Sequence, residues 1–281
     1  MSLMVLPAFA AAAVDPAGTP GEIRETVLIT GASSGIGLDL ARIFAAKKFD
    51  LLLTARTEAK LRELARELER QHKIEAHVIV SDLALPDGPH RIFSEIVRLG
   101  LPIDNLVNNA GFGAYGEFKD IRLQEELDMI QVNVASLTHL TNLALPQMVK
   151  RERGRIMNVA STAAFQPGPL MAVYYATKAY VLSFSEALAN EVRPYGVTVT
   201  CLCPGATSTG FAARADMEKS RLFKMPKMTS RAVAMAGYKG MMRGRTLVVP
   251  GLLNKVMAQS VRVSPRKMVT AVARSVQERT T

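Results

Sequence analysis

The 281 residues are 48% hydrophobic and 21% charged, with two cysteines and no tryptophan. That balance excludes a disulfide-stapled miniprotein and a low-complexity chain, and it suits a domain with a substantial core. The net charge of +10 is uneven: 15 Lys/Arg against 3 Asp/Glu follow Phe211, leaving 20 against 22 before it. A basic segment attracts nucleic acid, anionic lipid or phosphorylated ligands, but no aromatic-rich or helix-turn-helix pattern accompanies this one, so nucleic acid is not an expected partner.

Residues 1–22 are rich in Ala and Pro. Their MVLPAFAAAA stretch resembles the apolar part of a signal peptide without a preceding Lys or Arg. A disordered leader is expected there, ahead of a single domain over 23–281. No apolar run approaches the ~20 residues of a membrane-crossing helix.

A β-branched run ending at Thr30 is followed by Gly31, Gly35 and Gly37, and then Leu40, Ile43 and Phe44 fall at helical spacing. This reads as strand, tight turn and helix start. The first turn of such a helix offers free N–H groups and the positive end of a dipole to a pyrophosphate. Leu51 to Leu53 is a second strand, apolar throughout as a strand buried on both faces should be. Leu61, Leu64, Ala65 and Leu68 mark a helix, Ala76 to Val80 a third strand and Ile92 to Leu99 another helix.

A fourth strand begins at Leu106 and ends in Asn108-Asn109-Ala110-Gly111, and one long helix is expected from about Leu123 to Val149. Ile156 to Val159 is the fifth strand, Tyr174 to Val192 a helix, Val197 to Leu202 the sixth strand and Thr246 to Val249 a seventh. Strand and helix alternate throughout, predicting an α/β fold: one doubly wound (Rossmann) parallel sheet of about seven strands with helices on both faces. Ligands of such sheets bind at the carboxyl ends of the strands.

The second strand ends in Thr54-Ala55-Arg56, with no Asp or Glu where an NAD-binding sheet holds the ribose 2′-hydroxyl. A carboxylate repels a 2′-phosphate, whereas a guanidinium binds it through two donors. NADP(H) is therefore the expected cofactor, with Arg56 on the 2′-phosphate.

Tyr174 and Lys178 lie four apart on a helix and share a face, while Ser161 stands at the carboxyl end of the fifth strand. Carbonyl reduction needs a hydride and a proton on the carbonyl oxygen. A nearby ammonium is expected to lower the tyrosine pKa, and the Ser161 hydroxyl to donate to the carbonyl as charge builds there. Tyr175 is the rival base but points about 100° away around the helix. The four histidines are scattered without ligand spacing, so no metal is expected. Cys201 and Cys203 share one face of a strand and are read as buried thiols of a reducing compartment, the cytoplasm.

Taken together, the motifs resemble those of the short-chain dehydrogenase/reductase family. Thr30 to Gly37 matches its TGxxxGxG turn, Asn108 to Gly111 its NNAG strand end and Tyr174 to Lys178 its YxxxK. Ser161 stands 13 positions before Tyr174, and Pro204-Gly205 follows the sixth strand. The likeness covers about Val27 to Phe211.

The resemblance implies an oxidoreductase with Tyr174 as proton donor or acceptor and Lys178 on the nicotinamide ribose and the tyrosine. It implies that Ser161 orients the carbonyl and that Asn133 relays protons through water. For the cofactor it implies Gly31, Ser33, Ser34, Gly35, Ile36 and Gly37 at the pyrophosphate, Asp82 and Leu83 at the adenine, and Asn108, Ala110 and Gly111 along the groove. Pro204, Gly205, Thr207 and Thr209 belong to the nicotinamide end. A homodimer or homotetramer through the long helices is expected. The substrate is expected to be a hydrophobic ketone, 3-oxoacyl-like or steroid-like. A catalytically silent NADP-binding regulator is the alternative, against which the intact Ser–Tyr–Lys set argues.

Beyond Phe211 the motifs stop. The methionine-rich stretch 212–245 is expected to form a flexible lid over the substrate. Residues 246–281 are read as the last strand plus a basic amphipathic helix that touches anionic lipid or a partner subunit.

Overall fold

The computed structural model describes residues 24–211, 215, 217 and 227–278. The expected leader, and 212–214, 216 and 218–226 of the expected lid, lie outside the described residues.

Seven parallel strands form the sheet, in the order β3-β2-β1-β4-β5-β6-β9. They are β1 (Thr26–Thr30), β2 (Asp50–Ala55), β3 (Ala76–Val80), β4 (Asn105–Asn108), β5 (Gly154–Val159), β6 (Val197–Leu202) and β9 (Leu247–Val248). Side chains alternate across a strand, and the two sides have separate partners here. Val27, Ile29, Leu51 and Leu53 pack with Leu40 and Phe44 of α1 (Gly35–Ala46) and with Leu61 and Leu64 of α2 (Glu58–His72). Leu28, Leu52, Leu106 and Ile156 pack on the opposite face with Ile92 and Ile96 of α3 (Gly88–Leu99), Leu140 of α5 (Leu137–Lys150) and Leu188 of α6 (Ala172–Val192). Both faces are covered, which is why the inner strands read as unbroken apolar runs. The order reverses between β1 and β4, opening a crevice at their carboxyl ends.

Three expectations change. The first is only refined: the helix from Leu123 runs on to Lys150 as expected, but a π-helical turn over Gln131–Ser136 divides it into α4 (Leu123–Ile130) and α5. The span expected as a lid is only partly peripheral, because Ser230–Met242 forms helix α7 against α1. There Val233, Ala234 and Met241 are buried in the core, and Tyr238 meets Phe44 edge-on. Of the methionines, Met235 and Met242 also pack on that core, while Met217 lies beside Tyr174. Finally, the C-terminal segment is two helices, α8 (Leu252–Val263) and α9 (Arg266–Gln277), separated at Ser264-Pro265. A short pair not foreseen, β7 (Thr207–Ser208) with β8 (Met228–Thr229), ties the segment after β6 to the start of α7. Among the described residues no helix is long and apolar enough to cross a membrane.

Candidate active site

At the crevice, Gly31 adopts a φ of +66°, which turns the chain sharply out of β1. Gly37 is excluded from bearing a side chain for a different reason: a Cβ there would stand 2.3 Å from the Gly31 carbonyl oxygen. The turn is pinned from β4. Asn109 Nδ2 donates to the Thr30 and Gly31 carbonyls at 2.8 and 3.3 Å, and the Thr30 hydroxyl accepts from the N–H groups of Asn109 and Ala110, each at 2.9 Å. Helix α1 has no acidic residue in its first turn. Its free N–H groups are thus left for an external anion.

A groove of about 690 Å³ runs from this turn across the strand ends. Ser33, Ser34, Gly35 and Ile36 line it beside Gly31, and Arg56, Lys60 and Asp82 line one end. Arg56 is exposed, with Nη1 4.0 Å from Asp82 Oδ2. Asp82 also caps its own turn, Oδ1 accepting from the Ala84 N–H at 3.0 Å. The Leu83 carbonyl accepts from the Ser136 hydroxyl in the π turn at 2.7 Å. Leu83, Ala110 and Gly111 line the groove as expected.

Asn108 does not. Its side chain is buried in β4 and Nδ2 donates to Thr141 Oγ1 and Asn158 Oδ1, so Asn109 takes the lining position instead. The reason is strand alternation, which sends the Asn108 side chain into the core. Gly37, Asn133 and Gly205 likewise support the wall from behind, whereas Pro204, Thr207 and Thr209 line it.

At the other end Ser161, Tyr174 and Lys178 converge. Tyr174 stands beside Ser161, whose Oγ donates to the Pro204 carbonyl at 3.4 Å and accepts from the Ala163 N–H at 3.1 Å. Lys178 Nζ donates to the Val159 carbonyl at 2.9 Å and lies 5.8 Å from the centroid of the Tyr174 ring. Tyr175 faces away from the groove, hydrogen-bonded to Gln166, with burial pushing its hydroxyl up to about 12.

Asn133 joins these parts. Its Oδ1 accepts from the Phe112 N–H at 3.2 Å, and Nδ2 donates to the Phe112 carbonyl at 3.0 Å and to Thr177 Oγ1 at 3.1 Å. Thr177 in turn donates to the Tyr174 carbonyl at 2.7 Å. Asn133 thus ties the turn of α6 that carries Tyr174 and Lys178 to the loop after β4.

The expected lowering of the tyrosine pKa does not hold in the chain by itself. Burial pushes the Tyr174 hydroxyl well above its ordinary value, and the Ser161 hydroxyl offsets only part of this. Burial also pulls Lys178 down to about 8. Burial thus acts against charge on both groups in the empty groove.

Sequence reasoning missed Lys60, Asn109 and Phe112 as groove residues. Lys60 sits on a charged helix whose periodicity explains it fully. Phe211 is a further lining residue, its ring 5.3 Å from that of Tyr174.

Residues 25–220 match the family model described as short chain dehydrogenase. The chain belongs to this family. It is 36% identical over 207 residues to a very-long-chain 3-oxoacyl-CoA reductase of Pyrenophora tritici-repentis, covering 72% of this chain and 59% of that one. A monensin polyketide synthase putative ketoacyl reductase of Streptomyces virginiae is 41% identical over 192 residues, covering 66% and 72%. Among solved structures, a short-chain dehydrogenase from Sphingobium yanoikuyae in complex with NADPH aligns with a TM-score of 0.76 and 31% identity, covering 86% of this chain and 97% of that one.

The short-chain dehydrogenase groove here fits a nicotinamide dinucleotide on its own chemistry. An anion-ready helix start, a turn where a Cβ at Gly37 would collide, and cations at the far end suit a phosphorylated dinucleotide.

Proposed function

We propose that this short-chain dehydrogenase is an NADPH-dependent ketoreductase acting on a hydrophobic 3-oxoacyl-type substrate. The convergence of Tyr174, Ser161 and Lys178 at one end of the groove carries the reading.

Each residue has a separate task. Bound NADPH supplies the hydride. Ser161 Oγ donates to the substrate carbonyl oxygen and orients it. The Tyr174 hydroxyl, held protonated at neutral pH by burial, transfers its proton to that oxygen as negative charge develops there. The Lys178 ammonium stabilises the phenolate so formed. A charge at such a range contributes about 3 kcal/mol at an effective dielectric of ~20. Arg56 and Lys60 give the groove a preference for the 2′-phosphate of NADPH over NADH.

Two observations support the substrate class. Phe112 and Phe211 line the groove beside Tyr174 as an apolar wall, backed by buried Ala114, Met171 and Met217. Relatives of the chain are named as reductases of 3-oxoacyl or ketoacyl groups. A homo-oligomer through α4 and α6 is part of the same reading.

The test is NADPH oxidation at 340 nm against 3-oxoacyl thioesters of increasing length, cyclic ketones and steroids, with Tyr174→Phe as the paired variant. Turnover on the acyl substrates is expected, and Tyr174→Phe should lose about 100-fold or more while still binding NADPH. Full turnover by Tyr174→Phe would overturn the mechanism. Silence of the wild type across the panel would overturn the substrate class.

A further inference from the structure

Helices α8 and α9 present an unusual outer surface. The inward side of α8 is set by Asn254, which packs on Gly205, and by buried Ala258. The opposite side of a surface helix is ordinarily polar. Here it carries Leu252, Leu253, Val256, Met257 and Val263, each between 43% and 87% exposed. Their spacing of one, four, five and eleven positions from Leu252 places them on one arc. Met268 and Val272 of α9 add a second exposed apolar pair.

Charge accompanies this face. Lys255, Arg262, Arg266 and Lys267 lie on the two helices, and residues 246–277 contain no Asp or Glu, while Arg274 is paired with Glu117 and Glu278. A second copy seated on the face would set cation against cation. An acidic protein groove would neutralise the charge but leaves a broad row of purely aliphatic side chains without a stated partner. An anionic bilayer satisfies both features, since aliphatic groups enter the acyl boundary while flanking Lys and Arg meet the headgroups.

We propose that helices α8 and α9 dock this protein on the surface of a membrane containing anionic lipid, without crossing it. Helix α9 is tied to the substrate side of the cleft. Tyr115 Oη donates to the Gln277 carbonyl at 2.8 Å, and Arg274 lies 3.5 Å from Glu117. Docking thus holds the apolar wall around Tyr174 near the lipid, which fits the hydrophobic substrate proposed above; the docking itself does not depend on that substrate.

The experiment is co-sedimentation of the full chain with phosphatidylcholine vesicles, with and without about one-third phosphatidylserine, beside size measurement in solution. Wild type should sediment with the anionic vesicles and at least tenfold less with the neutral ones. A Leu252→Glu/Val256→Glu/Val263→Glu variant should lose vesicle binding at least tenfold while keeping its thermal transition, its size and its NADPH affinity. A Lys255→Glu/Arg262→Glu/Lys267→Glu variant, which leaves the apolar row intact, should lose the preference for anionic lipid.

Failure of the wild type to bind either vesicle overturns the proposal, as does undiminished binding by the triple-Glu variant. A drop in oligomer size caused by that variant, without vesicle binding by the wild type, assigns the face to a second copy instead. NADPH affinity and ketone turnover are measured on the same samples, so failure of docking is read independently of failure of the catalytic assignment.

Discussion

Lys178 is held near 8 by burial, and Tyr174 is pushed well above its ordinary value. For the free protein, kcat/KM for NADPH-dependent reduction should be level near neutrality and fall above about pH 8, as the ammonium is lost. Once the anionic cofactor is bound, the lysine proton is held more tightly, so the fall in kcat should come at higher pH. Stability moves the other way. Above about 8 the folded chain has released the proton that the unfolded chain holds to its ordinary 10.5, so the cost of burying a charge is relieved as pH rises through that window. The difference in unfolding free energy between wild type and Lys178→Met should shift in favour of wild type from pH 8 to 10, by chemical denaturation. Arg56 is the second residue to test. Charged hydrogen bonds contribute about 1.5–3 kcal/mol, so Arg56→Ala should weaken NADPH binding roughly ten- to hundredfold and leave NADH within about threefold, by fluorescence titration. Equal weakening of both would remove the 2′-phosphate assignment.

Two local elements shape the groove, and they were unequally legible. The turn from Gly31 to Gly37 could be read from spacing, because only glycine tolerates the left-handed backbone at Gly31 and, at Gly37, a carbonyl 2.3 Å from the missing Cβ. Gly37→Ala should cost about 1–3 kcal/mol through overpacking and abolish NADPH binding, as differential scanning and titration would show. The π turn at Gln131–Ser136 could not be read. A single extra residue in a helical ladder leaves the apolar periodicity on either side almost unchanged, so one continuous helix fits the pattern equally well. Such turns recur at functional positions, and this one carries Asn133. Asn133→Ala removes the bonds that clamp Phe112 and Thr177. Stability should fall by about 1–3 kcal/mol and kcat more than NADPH affinity, since the variant loosens the turn carrying Tyr174 rather than the phosphate end. A proportional loss of both would show that Asn133 acts on the groove as a whole.

At the scale of the molecule, the strand order reverses between the paired β1 and β4 at the centre of the sheet, and residues separated by more than 140 positions meet at one crevice. The outer faces carry a second feature. Leu123, Leu127 and Ile130 are exposed at intervals of four and three along α4, with exposed Tyr180 on α6. That row is the surface through which the proposed homo-oligomer would form. Leu127→Glu should convert it to a smaller species by light scattering, without loss of secondary structure; an unchanged mass would place the interface elsewhere. This row and the α8–α9 face are separate, so the two surfaces can be tested one at a time.

The elements that repeat a simple rule were determined by the sequence alone. Apolar runs bounded by turns marked the strands, 3.6-residue spacing marked α2 and α6, and the Tyr174–Lys178 interval placed two side chains on one helix face. Local backbone geometry suffices for each of these. Only the tertiary structure decided which neighbour of a pair faces the groove, as with Asn109 over Asn108, because that depends on the phase of β4 against β5 and α5. It also moved Ser230–Met242 from an expected lid into the core, where the exposed side of α1 needed covering. The direction in which burial shifts Lys178 and Tyr174 was likewise beyond the sequence, since charge separation and residue type say nothing about desolvation, and depth of burial is a property of the whole fold.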